Sequence, residues 1–255
     1  MFKKPVSSLL IFLTAVLLSL SVQAQETENL FFDDFDSYAN GSEIIGQGGW
    51  FGFFNNANAG ALVSNSFAHS APNSLEVVGD SDVVQLLNGA AGGTIIVSAW
   101  QYIPTGFSGR SYFILQNRYD HACATCNWSL QVAFESGTGN VESEFDGGTL
   151  PYVTDRWVEI RVEINLAIDV QDIYYDGQLL ASKSWTDGLS GNGALVVADI
   201  DLFANNASEV YYDDVSVDRV IPDAIPTMNQ WGMLILILLA GLGAGIAIKR
   251  RQVAS

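Results

Sequence analysis

Aspartates on apolar strand faces are the first residues whose chemistry needs an account. By period-two alternation Asp33 shares a face with Phe31 and Phe35, and Asp213 shares one with Tyr211, Val215 and Val217. A carboxylate so placed must find a partner, because burying it bare is very costly. Turn amides at a strand end would serve. So would a hard cation such as Ca²⁺, which takes carboxylate and carbonyl oxygens and needs no histidine. Cys123 and Cys126, the two cysteines of the chain, lie in His121-Ala-Cys123-Ala-Thr-Cys126. In an oxidising compartment the spacing favours a small loop disulfide. A zinc site would draw on His121, Cys123, Cys126 and Asp120, but no second Cys-x-x-Cys completes it.

Catalysis finds less support. Glu142, Glu144 and Asp146 share one face by alternation, yet a wet sheet face explains them as well. His69 and His121 lie in unlike loops with no Gly-x-Ser-x-Gly elbow, so a Ser-His-Asp triad has no basis. Sugar recognition would use planar aromatics with amides and short polar groups. Tyr112 and Gln116 share a face, Arg118 follows just beyond, and Trp100 and Tyr102 share a face on the preceding run. Tyr102, Tyr112, Gln116 and Arg118 are therefore the candidate ligand-binding residues. Trp128 groups with Leu130, Val132 and Phe134 as core.

The elements that must position these residues are short. Between Gln25 and Ile221 there is no long stretch of helical period, only β-rich runs punctuated by Gly, Asn, Asp and Pro. Trp157 to Ile164 is the clearest, with Val158, Ile160, Val162 and Ile164 on one face and Trp157, Glu159, Arg161 and Glu163 on the other. A dozen such strands predict an all-β, two-sheet antiparallel sandwich. Net charge is −17, and between Gln25 and Ile221 27 acids face 6 bases. That balance repels phosphate backbones and excludes nucleic-acid partners.

The ends carry addresses. Lys3 and Lys4, the apolar run Leu9 to Leu20 and Val22-Gln23-Ala24 read as a signal peptide over residues 1–24. At the other end, Trp231 to Ile248 reads as a transmembrane helix (231–248) with Lys249, Arg250 and Arg251 as a cytoplasmic stop. Before it stands Ile225-Pro226-Thr227-Met228-Asn229-Gln230-Trp231-Gly232. This arrangement over 222–255 resembles the IPTL-CTERM sorting signal of Gram-negative bacteria, a relative of the signals recognised by exosortases. Ile225, Pro226, Thr227, Trp231 and Gly232 match the pattern Ile-Pro-Thr-Leu-x-x-Trp-Gly, and Met228 replaces its Leu. The resemblance implies an exosortase-like protease or transpeptidase as partner, membrane residence before processing, and delivery to the envelope, surface or exterior. A permanent anchor is the plainer alternative.

Phe32-Asp33-Asp34-Phe35, Gly46-Gln47-Gly48-Gly49-Trp50, Arg156-Trp157-Val158-Glu159-Ile160, Tyr174-Tyr175-Asp176-Gly177 and Tyr211-Tyr212-Asp213-Asp214-Val215 together resemble the concanavalin A-like, laminin G-like jelly roll. That resemblance implies a jelly-roll domain over 25–221. It implies too that the first and last strands are neighbours, which would bring Asp33 and Asp213 together as the calcium pair. By analogy it implies a non-catalytic glycan-binding, adhesive or matrix role. A glycan-active hydrolase or lyase on the same fold is the alternative. Pro226 keeps its segment extended and without an amide proton, open to a processing enzyme. Mass spectrometry of the protein from its native host should therefore find chains ending near Ile225-Pro226-Thr227, whereas a C-terminal peptide reaching Ser255 would mark a plain anchor.

Overall fold

The computed structural model describes residues 26–144, 147–188, 192–222 and 235–242. Residues 27–220 form one compact unit. The signal segment 1–24, the sorting motif 225–232 and the basic cluster 249–251 lie outside the described residues. So do 231–234 and 243–248 of the expected span. Residues 235–242 are helical, and no helix among the described residues is long and apolar enough to cross a membrane.

The main unit is all-β, two antiparallel sheets face to face. The first contains, in spatial order, β13 (Gln178–Lys183), β12 (Val170–Tyr175), β11 (Trp157–Asn165), β6 (Thr94–Tyr102), β15 (Ala207–Val220), β4 (Ser74–Gly79) and β3 (Leu62–Ser64). Beside the second half of β15 lies β1 (Thr27–Asp33), so the first and last strands are indeed neighbours. The second sheet runs β10 (Gly148–Pro151), β9 (Asn140–Ser143), β8 (Asn127–Glu135), β7 (Arg110–Arg118), β14 (Asp199–Asn205), β5 (Asp82–Leu86) and β2 (Trp50–Gly52). Neighbouring strands far apart in sequence, such as β6 with β15 and β7 with β14, give the crossed connections of a jelly roll.

The core lies between the sheets. Val158, Ile160, Val162 and Ile164 of β11 point into it, with Ile95, Val97 and Ala99 of β6 and Phe113, Leu115, Val132, Phe134, Ile200 and Leu202 opposite. Their alternation is what the sequence pattern of β11 requires. Trp185 and Tyr175 close one flank.

Two differences from the sequence reading have local causes. The short strands β2 and β10 escape notice because three or four residues carry too little alternation. Trp128 is not core. Register shifts between Leu115 and Arg118 along the β7–β8 pairing put Trp128 opposite Gln116 on the outer face, and Ser129 turns inward to accept from Asn117 Nδ2 at 2.6 Å.

The inter-sheet core is expected to hold the unit together. Phe113 is fully buried at its centre, so Phe113→Ala should cost about 3–5 kcal/mol in a urea titration. The 25–221 fragment should give a far-ultraviolet spectrum dominated by strand.

Candidate functional site

Two outer faces carry the candidate residues, and they are built differently. On the first sheet, Trp157, Tyr102, Tyr211 and Glu76 stand in one row across β11, β6, β15 and β4. Glu159, Trp100 and Asp213 form the next row. The segment before β4 crosses above them and adds two rings: Phe67 stacks on Tyr102 with centroids 4.3 Å apart, and His69 stacks on Trp100 at 3.9 Å. Trp157 meets both His69 and Tyr102, at 5.8 and 5.6 Å. Trp100, Tyr102 and Trp157 remain partly exposed, forming a continuous aromatic platform.

Asp213 and Asp214 anchor that crossing segment. Asp213 Oδ2 accepts from the His69 and Ser70 amides at 2.7 and 3.0 Å, and its Oδ1 accepts from the Asp214 amide. Asp214 holds the side chains of the same two residues, His69 Nδ1 at 2.6 Å and Ser70 Oγ at 2.8 Å. Burial pushes the Asp213 carboxyl up to about 7 against the opposing pull of these amides.

The expected Asp33–Asp213 calcium pair does not form. A register shift in β15 between Asp213 and Ser216 flips the alternation, so Val215 and Val217 face the core while Asp213 faces outward beside Tyr211. Asp33 stays on the core side, accepting from the Phe35 amide (2.9 Å), Tyr38 Oη (2.8 Å) and Trp50 Nε1 (2.9 Å). All four carboxylate oxygens are thus engaged by donors, and no cluster of three His, Cys, Asp or Glu suited to a metal forms among the described residues. These residues fit hydrogen-bond anchors and do not fit a calcium ion.

Nor do the four candidate ligand-binding residues meet. Tyr102 belongs to the first sheet; Tyr112, Gln116 and Arg118 belong to β7 of the second. Tyr112 is 8% exposed and stacks on Phe203 at 5.4 Å. Gln116 is fully buried, its amide oriented so that the oxygen accepts from Trp128 Nε1 (2.8 Å) and the nitrogen donates to Asp199 Oδ2 (2.9 Å). Arg118 is exposed at the strand end.

Around Gln116 the outer face of the second sheet is closed rather than open. Phe53, on a 3₁₀ turn (Phe53–Asn55), and Tyr119 sit 5.7 Å apart, with Phe51, Trp128 and His121 against them. Beneath lie Asp199 and Asp201 of β14, 0% and 2% exposed, and Asp82 of β5. Sequence reasoning missed this group, although the alternation Asp199-Ile-Asp201-Leu202 puts both acids on one face. Burial raises Asp199 and Asp201 well above the ordinary carboxylate range and Asp82 to about 6; Asp201 is pushed further by its two neighbours.

The remaining candidates have structural roles. Cys123 and Cys126 are disulfide-bonded, so the thiols a zinc site needs are consumed. Asp120 folds the loop around that bond, accepting from the Ala122, Ala124 and Thr125 amides. Arg110 pairs with Glu135, Glu142 and Glu144, the last at 2.7 Å, which ties the supposed catalytic carboxylates to a cation. Asp146 lies outside the described residues. A shallow depression of about 420 Å³ lies beside Glu142, Glu144 and Gly148, with no aromatic ring in its lining.

No protein-family model and no curated protein matches the chain. Solved structures do. A sialidase aligns with a TM-score of 0.51 at 10% identity, covering 75% of this chain and 18% of its own. The carbohydrate-binding module CBM66 from Bacillus subtilis aligns at 0.43 with 14% identity, covering 67% of this chain and 95% of its own. Caenorhabditis elegans galectin LEC-6 aligns at 0.38 with 14% identity, covering 56% and 94%. The chain thus spans under a fifth of the sialidase, and at this identity the likeness is one of fold.

The carboxylates set the pH dependence of stability. Asp82, Asp199 and Asp201 have raised pKa values, so the folded chain holds protons that the unfolded chain releases; stability falls as pH rises from about 4. Asp169 and Asp176 are lowered by hydrogen bonds from Thr186 and Arg156, so their contribution is lost below that range. A stability maximum in weakly acidic solution follows. Asp201→Asn, neutral at every pH, should flatten the alkaline side and raise the melting temperature near pH 8 by about 2–5 °C, as read by calorimetry.

Proposed function

We propose that the chain is an exported, non-catalytic glycan-binding protein whose ligand lies on the platform of Trp100, Tyr102 and Trp157. The observation that carries this reading is the platform itself. Three large rings on two adjacent strands stay partly exposed although the same strands bury every alternate residue. Flat rings cover the apolar face of a pyranose, and polar groups at the rim take its hydroxyls. Here the rim offers Glu159, Asp155, Glu76 and the His69–Asp214 pair. Asp155 is lowered by bonds from Thr105, so it stands ionised as an acceptor at neutral pH.

The fold agrees with such a role without requiring it. Export is supported by the n-region, apolar run and cleavage site of residues 1–24, and delivery to the cell envelope by the motif Ile225 to Gly232 with its span and basic stop. An adhesive or matrix role follows from binding a glycan while attached to a surface. A hydrolase or lyase gains no separate support, since Arg110 neutralises Glu142 and Glu144.

A glycan array on the purified protein tests the reading. Trp157→Ala and Tyr102→Ala should each weaken the preferred glycan about tenfold or more, with the strand spectrum unchanged. Equal binding by both variants and the parent would remove the platform as the site.

A further inference from the structure

The carboxylates under the aromatic cover of the second sheet have a different environment from every other buried acid in the unit. Asp82 and Asp201 share a side-chain hydrogen bond, diagonal neighbours across β5 and β14. Asp199 stands two residues along β14 on the same face, one oxygen engaged by Gln116. In all three the Oδ1 atom is buried with no hydrogen bond from an amide, hydroxyl or cation of the described residues. The Tyr119 hydroxyl lies close enough to feel all three acids, which help burial push it up to about 12 against the opposing backbone bond of Phe54. Unpartnered oxygens of this kind in a native interior call for an occupant.

The surroundings restrict what it can be. Gln116 of β7 bonds Asp199, Ile114 of β7 stands opposite Asp201, and Tyr119 of the disulfide loop lies near all three acids. Phe51 of β2, Phe53 of the 3₁₀ turn, Trp128 of β8 and His121 join Tyr119 in one cluster of rings. None of the ion pairs among the described residues reaches Asp82, Asp199 or Asp201; Arg110 is held by the three glutamates and lies over Tyr112. The His, Cys, Asp and Glu geometry does not close around a metal. An alkylammonium group meets both demands at once. It offers three N–H donors to three unpartnered carboxyl oxygens, and its charge is attracted to the faces of Trp, Tyr and Phe.

We propose that this covered group of acids is a second binding site, for a small protonated primary amine such as the ammonium head of an amino sugar or of an aliphatic amine. The cover must part to admit it. Its 3₁₀ segment carries Phe54 and Asn55 in the left-handed region, at φ 55° and 56°. Strain of that kind is stored where a conformation serves a site. Binding releases protons from the acids, because the ammonium replaces the proton that Asp82 and Asp201 share.

Calorimetric titration of the full chain in detergent, at physiological salt to screen exposed acids, tests the site. The probes are cadaverine and glucosamine, with pentanol and N-acetylglucosamine as uncharged counterparts. At least one amine should bind, with proton release that differs between buffers of unlike ionisation enthalpy, and its counterpart should not. Asp201→Asn and Asp82→Asn should weaken the amine about tenfold or more; Tyr119→Phe, which keeps the ring, should weaken it less. Cadaverine alone binding would identify an aliphatic amine, glucosamine alone an amino sugar. No binding by either amine, or binding indifferent to the aspartate variants, would overturn the proposal. Trp157→Ala should leave amine binding unchanged, so loss of the platform reading and loss of this one are separate results.

Discussion

The bulge at Asp213–Asp214 in β15 is the constraint on which the first sheet depends. This strand is fourteen residues long and central, pairing with β6 on one edge and with β4 and then β1 on the other. Val210 and Tyr212 face the core before the bulge, and Val215 and Val217 face it after. Without the extra residue one of those sets would turn to solvent, at a cost of about 1.5–3 kcal/mol for each side chain exposed. The bulge also leaves two adjacent carboxylates on the outer side, Asp214 in the left-handed region at φ 46°. Those carboxylates hold His69 and Ser70, and with them the segment that lays Phe67 and His69 over Tyr102 and Trp100. The aromatic platform is thus a consequence of how the longest strand corrects its own register.

A second regularity follows from composition. With six bases against 27 acids in the domain, the carboxylates cannot be paired mainly with cations. They are satisfied by local donors instead. Asp120 gathers three loop amides and the Thr125 hydroxyl; Asp155 takes the amide and hydroxyl of Thr105; Asp169 takes Ser184, the Thr186 amide and the Thr186 hydroxyl. Such bonds stabilise the ionised form and fix loops without distant partners. The Asp82, Asp199 and Asp201 group departs from this pattern. Asp82 and Asp199 open β5 and β14 and Asp201 lies within β14, where the ladder takes the neighbouring amides, and among the described residues only Gln116 donates to the group, at Asp199.

This contrast explains what could be read from the chain and what could not. Strict alternation over nine residues in β11 predicts its faces, and repeated β-rich runs between turn residues predict two antiparallel sheets. The spacing of Cys123 and Cys126 predicts their bond. Each of these depends on local periodicity or proximity in sequence. The ligand grouping failed because it joined Tyr102 to Tyr112, and the connection between β6 and β7 crosses from one sheet to the other. The pairing of Asp33 with Asp213 failed on a single inserted residue, and Trp128 was assigned to the wrong face for the same reason. A bulge leaves little trace in hydrophobic pattern, yet it inverts every side chain beyond it.

The two outer faces then differ for a physical reason rooted in what covers them. On β11 and β6 every outward residue is partly exposed. Phe67 and His69 of the overlying segment stack on Tyr102 and Trp100, so a ligand there meets Trp157, the exposed ring edges and that overlying pair without moving the strands. On β7 nearly every residue is buried on both sides, because the 3₁₀ turn and the disulfide loop bring Phe53 and Tyr119 down over it. A solute reaching that face must displace apolar contacts first, which ties its entry to motion of two loops. One face therefore suits a broad, shallow ligand recognised by shape. The other suits a small one whose charge offsets the cost of opening.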